Sequence, residues 1–277
     1  MIRLPIIYDD TGYATAVAIS RGEMVLEPAR IKDRTMAPSH IVSAYDEELK
    51  YLSRRISEMG GTAEQMVADS VRALVTTDAA LAQKVISEDI VLDNAERQIN
   101  EKAIVTIAKR QPMAADLREI MGAIRIAAEL ERVGDLGKNT AKRVIAVQSS
   151  GMPRTLARGL EHLAELALMQ LKEVLDVYAT RSVDKAKAIR ERDDEIDAIY
   201  TSLFRELLTY MMEDPRNITP CTHLLFCAKN IERIGDHATN IAETIYYMAT
   251  GSQPEGERPK DDTSTSVVAA DLSEASE

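Results

Sequence analysis

The chain has 277 residues and a formal net charge of −11, with 45% apolar and only 4% aromatic residues. This acidity argues against sequence-independent binding to nucleic acid or to anionic lipid, which requires clustered Lys and Arg. The abundance of Ala, Leu, Ile, Glu, Arg and Met favours helix over strand.

Cysteine spacing and the lengths of the apolar runs indicate the cellular compartment. Cys221 and Cys227 are six residues apart, which is neither a zinc-ligand spacing nor a disulfide framework and suits a reducing cytosol. No apolar run reaches the roughly 18–20 residues that span a bilayer. The first residues also lack a signal-peptide pattern, because Asp9, Asp10 and Gly12 interrupt their apolar stretch. We therefore predict a cytoplasmic protein that reaches membranes only through protein partners.

Residues 1–38 differ in composition from the rest of the chain. Pro and Gly interrupt them so often that no helical period persists. Two interpretations of this extension remain open. It is either a disordered arm or a segment that lies upstream of the true translation start at Met36.

Residues 39–149 predict the first repeat, made of three long helices. Ser39 suits the N-cap of the first helix, whose apolar residues recur at three- and four-residue spacing. Gly60 and Gly61 interrupt this spacing, which indicates a kink or the close approach of another helix. Pro112 ends the second helix, because the residue before a proline disfavours the helical region. The predicted helices span about residues 39–74, 78–111 and 114–148.

Residues 149–153, Ser-Ser-Gly-Met-Pro, predict a hinge before a second repeat in residues 153–250. Residues 251–277 are rich in Ser, Thr, Pro, Asp and Glu, which predicts a disordered acidic tail. Antiparallel helices joined by short turns then give an all-α fold of two repeated three-helix bundles with six long helices. The helices predicted in the second repeat span about residues 156–175, 183–213 and 219–250.

One acidic motif occurs once in each repeat, on the last helix. Side chains four residues apart lie on one helix face about 5–6 Å from each other, so each copy directs two carboxylates the same way. Two copies 101 residues apart indicate an internal duplication. The copies are Glu131-Arg-Val-Gly-Asp135 with Asn139 four residues later, and Glu232-Arg-Ile-Gly-Asp236 with Asn240 four residues later.

A second acidic pair lies on the middle helix of each repeat. If the helices pack side by side, four carboxylates converge, repel each other and favour a hard cation such as Mg²⁺, Ca²⁺, Mn²⁺ or iron. The alternative is that Arg132, Lys138, Arg143 and their counterparts neutralise the acids as surface ion pairs. The candidate metal ligands are Asp89, Asp93, Glu131 and Asp135 in the first repeat and Asp193, Asp197, Glu232 and Asp236 in the second.

The remaining motif residues have less specific signals. Gly134 and Gly235 each cost roughly 1 kcal/mol inside a helix, so they indicate either tight helix packing or the approach of a metal shell. His237, beside Asp236, is either a ligand or an ordinary polar residue. Candidates for orienting the carboxylates or for binding a partner are Arg132, Arg233, Asn139 and Asn240.

The sequence lacks the signatures of several enzyme classes. No histidine has an acid three residues before it, as a ferritin-like di-iron site requires. The motifs of nucleophilic, nucleotide-dependent and zinc-hydrolase catalysis are also absent from it. We therefore predict that the protein is not an enzyme, which leaves a regulator or a helical scaffold.

Residues 39–249 resemble the PhoU family, the accessory proteins of the phosphate-specific transport system. The resemblance rests on the junction Arg110-Gln-Pro-Met-Ala114 and on the doubled Glu-Arg-x-Gly-Asp within Glu129–Leu136 and Asn230–Glu243. It implies a cytoplasmic negative regulator of the phosphate-starvation response that limits uptake when phosphate is plentiful. It further implies a homodimer that couples the transporter's ATPase subunit to a sensor histidine kinase. The alternative is a metal-binding scaffold or metal-handling protein with no role in phosphate signalling.

The resemblance also implies that the acidic residues bind iron, zinc, magnesium or manganese. The two acidic sets are not spaced alike, since 42 residues separate Asp89 from Glu131 but 39 separate Asp193 from Glu232. We therefore expect the two sites to differ in metal or in affinity.

Overall fold

Two compact units make up the chain, Met1–Ala44 and Tyr45–Glu277. The predicted start at Met36, the hinge at 149–153 and the tail beyond residue 256 lie outside the described residues. The computed structural model describes residues 7–8, 14–20, 23–28, 38–148 and 154–256, with side chains for residues 45–148, 156–192 and 194–256.

The first unit contains a three-stranded antiparallel sheet that sequence reasoning did not predict. Its strands are β1 (Ile7–Tyr8), β2 (Ala14–Ser20) and β3 (Glu23–Pro28), in the order β1-β2-β3. The register pairs Ile19 with Met24 and Val17 with Leu26. In the sequence of β2, β-branched residues alternate with small ones, a two-residue period that is typical of a strand.

The second unit is helical, and the all-α prediction of two repeated three-helix bundles is confirmed. The first bundle consists of α1 to α3 and the second of α4 to α7. Among the described residues the helices are α1 (Pro38–Thr76), α2 (Ala79–Arg110), α3 (Ala114–Val147), α4 (Arg154–Thr180), α5 (Val183–Glu191), α6 (Asp193–Glu213) and α7 (Ile218–Thr250), with a 3₁₀ turn at Pro215–Asn217.

Local chemistry explains where α2 begins and ends. The carboxylate of Asp78 accepts a hydrogen bond from the backbone N–H of Leu81 at 2.9 Å, which satisfies one of the free donors at the helix N-terminus. At the other end, Gln111 adopts the left-handed conformation with a φ of 49°, and its N–H donates to the carbonyl of Ile107. Pro112 follows and prevents continuation of the helix.

The fifth predicted helix, over residues 183–213, is divided in the structure at Arg192. Its backbone N–H donates to the carbonyl of Ile189, three residues back, instead of continuing the four-residue ladder. The prediction of one continuous helix was therefore wrong at this point. The sequence around Arg192 is almost entirely charged, so no apolar stripe holds the helix straight there.

Close helix packing explains the glycines that interrupt the apolar pattern. A Cβ on Gly60 would overlap the side chain of Leu175 from α4, so this glycine allows the close approach of another helix. It does not break the helix, because α1 continues through this position. Gly61 faces open space. Between the repeats, α3 packs extensively against α7, the last helix of the other repeat, so the two bundles are joined along this contact.

We expect the substitutions Gly134→Ala and Gly61→Ala to change stability in opposite directions. At Gly134 the new methyl group would overlap Leu92, which is itself fully buried in the core. Overpacking of about 1–3 kcal/mol should exceed the gain of about 1 kcal/mol in helix propensity. At Gly61 only the gain in helix propensity applies, because the new methyl group would meet no other atom. Urea unfolding of both variants measures the difference, and equal stabilisation by both would contradict tight packing at Gly134.

Candidate metal centres at the acidic motifs

The two glycines of the acidic motifs position the middle helices of the repeats. Leu92 of α2 packs against Gly134 of α3, and Ile196 of α6 packs against Gly235 of α7, with its Cδ1 only 2.7 Å from the point where a Cβ would stand. Leu92 and Ile196 each lie three residues after an acidic residue, Asp89 and Asp193. The two repeats therefore bring equivalent acidic positions next to the motif.

The first acidic centre consists of Asp89, Asp93, Glu131 and Asp135. Burial raises the pKa of Glu131, and the negative charges of Asp135, Glu96, Asp93 and Asp89 raise it further. The other three predicted side chains are thus close enough to Glu131 to oppose its ionisation. Glu96 also lies close to Glu131, although it was not among the predicted ligands. Its position on the core-facing stripe of α2 was the sequence feature that could have identified it.

Lys138 neutralises part of the first acidic centre. Its Nζ lies 2.5 Å from Oδ2 of Asp89 and also contacts Oδ1 of Asp135. These two carboxylates lie on different helices, α2 and α3, so the ammonium group joins the helices as a bound cation would. Hydrogen bonds to both carboxylates raise the pKa of Lys138 well above its ordinary value, against the opposing effect of burial.

The second acidic centre consists of Asp193, Asp197, Glu232 and Asp236. Glu232 and Asp197 are only 4% and 5% exposed. Burial raises the pKa of Glu232 to about 7, and Asp236 and Asp197 add to this shift although Lys229 opposes it. Asp193 lies in α6, but its side chain is outside the described residues.

One oxygen of Glu232 is left without a donor. Oε1 accepts a hydrogen bond from Nζ of Lys229 at 3.0 Å, whereas Oε2 is buried and has no hydrogen-bond partner among the described atoms. A buried carboxylate oxygen without a donor costs free energy unless a cation or a water molecule binds it. The second centre therefore has an acceptor that a cation would satisfy.

The lysines that form ion pairs with the acids of the two centres do not occupy equivalent positions in the repeats. The 101-residue offset between the motifs pairs Lys138 with Thr239 and Lys229 with Ala128. Thr239 is fully buried and its hydroxyl accepts a hydrogen bond from Gln170. The duplicated acids are thus neutralised by different residues, so the centres differ electrostatically.

Of the arginines and asparagines of the motifs, Arg132 and Asn240 meet at the carboxylate of Glu129. Arg132 donates to Glu129 at 2.6 Å, and Arg233 is exposed and forms no ion pair among the described residues. Asn139 lines a cleft at the end of α3, and Asn240 donates to Oε2 of Glu129 at 3.0 Å.

Glu129 is the centre of a polar cluster that sequence reasoning missed. Nδ1 of His237 lies 2.7 Å from Oε2 of Glu129 and donates to it across the α3–α7 contact. Burial raises the pKa of Glu129, but the hydrogen bonds from His237 and Asn240 outweigh this effect and lower it. His237, a candidate ligand in the sequence, thus donates a hydrogen bond from Nδ1 to a carboxylate of the opposite repeat.

The donor set of these centres fits a hard cation unequally. Among the described side chains, no three His, Cys, Asp or Glu groups are arranged around one point as ligands. At the second centre, Oε2 of Glu232 and the carboxylates of Asp197 and Asp236 are oxygen donors of the kind that Mg²⁺ and Mn²⁺ prefer. At the first centre, the ammonium group of Lys138 contacts two of the acids that would bind the ion.

In the part of the chain that the structure describes, no helix combines the length and apolarity needed to cross a bilayer.

Comparison with protein families and known proteins gives consistent matches. The PhoU domain family matches residues 56–144 and 160–245, once in each repeat. A phosphate-specific transport system accessory protein PhoU homolog of Rhizobium meliloti is 84% identical over 232 residues, which are 84% of this chain and 98% of that protein. A homolog with the same description from Caulobacter vibrioides NA1000 is 48% identical over 221 residues, or 80% of this chain and 96% of that protein.

Solved structures show the same architecture. The crystal structure of PhoU from Pseudomonas aeruginosa superposes with a TM-score of 0.72 at 36% identity and covers 75% of this chain and all of that one. The phosphate transport system regulatory protein PhoU from Streptococcus pneumoniae superposes with a TM-score of 0.71 at 25% identity, covering 76% of this chain and all of that one.

We expect the substitution Glu232→Gln to stabilise the protein at alkaline pH. Since the folded-state pKa of Glu232 is about 7, the folded protein keeps a proton that the unfolded chain has released above about pH 5. Stability therefore falls as the pH rises through this window. Glu232→Gln removes the loss, so its free energy of unfolding should exceed the wild-type value by on the order of 2 kcal/mol at pH 8.

The measurement is urea unfolding of the wild-type protein and of Glu232→Gln at about pH 5 and pH 8, with a chelator present. The raised pKa of Glu232 predicts a difference in the free energy of unfolding only at the higher pH. An equal difference at both pH values would show that ionisation of Glu232 is not its cause.

Proposed function

The chain belongs to the PhoU family, and we propose that it is a cytoplasmic accessory protein of phosphate transport that restrains the phosphate-starvation response. The observation that carries this proposal is the match of the family to both repeats, including both acidic motifs. The relatives' description as phosphate-specific transport system accessory proteins supports it. In this proposal the protein is a regulator without catalytic activity.

We propose that regulation works by contact between proteins. The protein would bind the transporter's ATPase subunit and a sensor histidine kinase, so that the kinase stays inactive while phosphate is plentiful. Exposed apolar residues on α2 support a binding role, since Ile90 and Ile104 are 55% and 63% exposed and lie four helical turns apart on a similar face. A homodimer is part of this proposal on the strength of the family resemblance alone.

We propose further that a hard cation binds the second acidic centre. Oε2 of Glu232 would bind it directly, and the ion would supply the positive charge that this buried oxygen lacks. Since no three carboxylates of the described residues surround one point, Asp197 and Asp236 would turn toward the ion as it binds. An all-carboxylate donor set favours magnesium, manganese or iron over zinc, which prefers nitrogen and sulfur ligands. Asp193, the fourth predicted ligand of this repeat, has its side chain outside the described residues.

A second candidate function, a helical scaffold that needs no metal, is favoured by one observation. Lys138 already joins Asp89 and Asp135 in the first centre, as expected if surface ion pairs neutralise the acids. We assign this description to the first centre alone, because the acids of the second centre include a buried oxygen without a donor.

The regulatory proposal predicts the output of alkaline phosphatase, a product of the starvation response. In phosphate-rich medium, cells that lack this gene should show high activity. Expression of residues 36–277 in those cells should silence it, and so should the full chain. Low activity in the deletion strain would contradict the proposal and favour the scaffold, whereas silencing by the full chain alone would assign a role to the first 35 residues.

The metal proposal predicts different behaviour of the two centres in a titration with Mn²⁺. The chelator-treated protein should bind Mn²⁺ at the second centre, and Glu232→Gln should weaken binding by about tenfold or more, since it removes a charged oxygen ligand. Binding should also weaken below about pH 7, because the ion requires an ionised Glu232.

The substitution Lys138→Ala should create a second Mn²⁺ site, since it frees Asp89 and Asp135. Lys142→Ala is the matched control, because Lys142 lies one turn further along α3, is exposed and forms no ion pair among the described residues. Calorimetry counts the sites, and Mn²⁺ electron paramagnetic resonance reports the bound ion directly. Unchanged binding in Glu232→Gln would refute the assignment of the site to the second centre.

A further inference from the structure

A cleft of about 320 Å³ lies at the contact between α3 and α7, apart from both acidic centres. Pockets of this size are typical of small-molecule sites. None of the described residues that line it carries a carboxylate. The lining residues are Asn139, Lys142, Arg143, Ala146, His223 and Asn230.

The cations of this cleft lack acidic partners, although the chain carries a net charge of −11. Neither Lys142 nor Arg143 forms an ion pair with any described residue. Lys142 is an exposed residue, and Nε of Arg143 is buried without a hydrogen-bond acceptor among the described atoms. An acidic protein usually supplies carboxylates to such groups, so two neighbouring cations without them favour an anionic ligand.

Arg143 is held in place by two contacts from α7. Its guanidinium group stacks on the ring of Phe226, 4.1 Å from the centroid. Its Nη1 donates to Nδ1 of His223 at 3.3 Å. Because Nδ1 accepts this bond, the ring proton of a neutral His223 resides on Nε2, which is then a further donor. A cation whose position is set before binding loses little conformational entropy when a ligand arrives.

The internal duplication provides a comparison for this cleft. The 101-residue offset pairs Asn230 with Glu129 and pairs Lys142 with Glu243. At the equivalent end of the α3–α7 contact, Glu129 accepts hydrogen bonds from His237 and Asn240, so a paired acid stands there. The cleft therefore carries an amide and a lysine at two positions where the other repeat carries acids.

We propose that this cleft binds a phosphate group. Guanidinium and ammonium groups with amide N–H donors complement a tetrahedral dianion, and Arg offers several donors in a fixed planar arrangement. The volume also leaves room for a small organic molecule that carries the phosphate, and the ring of Phe226, 49% exposed, offers it an apolar surface. This site does not depend on the proposed regulatory role.

The test is calorimetric titration of the full chain with inorganic phosphate and, separately, with AMP. A chelator must be present, because a metal ion in an acidic centre would otherwise bind phosphate itself. Binding of inorganic phosphate would identify free phosphate as a sufficient ligand, and binding of AMP alone would identify a phosphate carried on an organic molecule. Either result supports the site, and the absence of both overturns it.

Three variants locate the binding. Arg143→Gln should weaken it by about tenfold or more, because a charge-assisted hydrogen bond is lost. Asn230→Glu should abolish it, since it places in the cleft the carboxylate that the other repeat carries at Glu129. Arg125→Gln is the matched control, because Arg125 also lies on α3 and stacks on an α7 ring, that of Tyr247, but is not in the cleft.

Equal weakening by Arg125→Gln and Arg143→Gln would show that net charge, and not this cleft, binds the anion. Circular dichroism checks the fold of each variant. If Arg143→Gln fails to fold, Asn230→Glu decides alone, and full binding by that variant overturns the proposal. Loss of binding with an unchanged phosphatase response would separate this site from the regulatory function.

Discussion

The close approach of neighbouring helices at Gly134 and Gly235 determines the arrangement of the acidic residues. Each glycine receives a large aliphatic side chain from the middle helix of its own repeat, Leu92 or Ile196. A Cβ at either glycine would overlap that side chain, which would then have to shift within the packed core beside the carboxylates. The cost of roughly 1 kcal/mol for a glycine within a helix is thus offset by packing that recurs in both repeats.

That approach creates an electrostatic problem, because it concentrates like charges in a partly buried region. The two repeats solve it differently. In the first, the ammonium group of Lys138 contacts acids from two helices. In the second, Lys229 donates to one oxygen of Glu232, and the other has no donor among the described atoms. Burial, together with the charges of Asp236 and Asp197, raises the pKa of this carboxyl to about 7 although Lys229 opposes the shift. A duplicated motif therefore provides one internally neutralised centre and one centre suited to an external cation.

The contact between α3 and α7 shows the same divergence at its two ends. At one end Glu129 accepts hydrogen bonds from His237 and Asn240, and this polar cluster joins the repeats. At the other end Arg143 stacks on Phe226 beside a cleft without acids. Two nearly equivalent helices thus carry a paired acid at one place in their contact and, at another, cations that have no acidic partner among the described residues.

The sequence by itself determined the features that depend on neighbouring residues. Apolar periodicity and local signals such as Asp78 and Pro112 predicted the helices, the fold class and the duplication, because helix formation and termination are set within a few residues. The tertiary structure decided which residues meet. Lys138 pairs with Asp89, 49 residues earlier in the chain, and His237 pairs with Glu129, 108 residues earlier. Such pairings depend on how distant helices cross. The division at Arg192 and the N-terminal sheet were likewise missed, since local spacing favoured a continuous helix and the short strands carry only weak periodic signals.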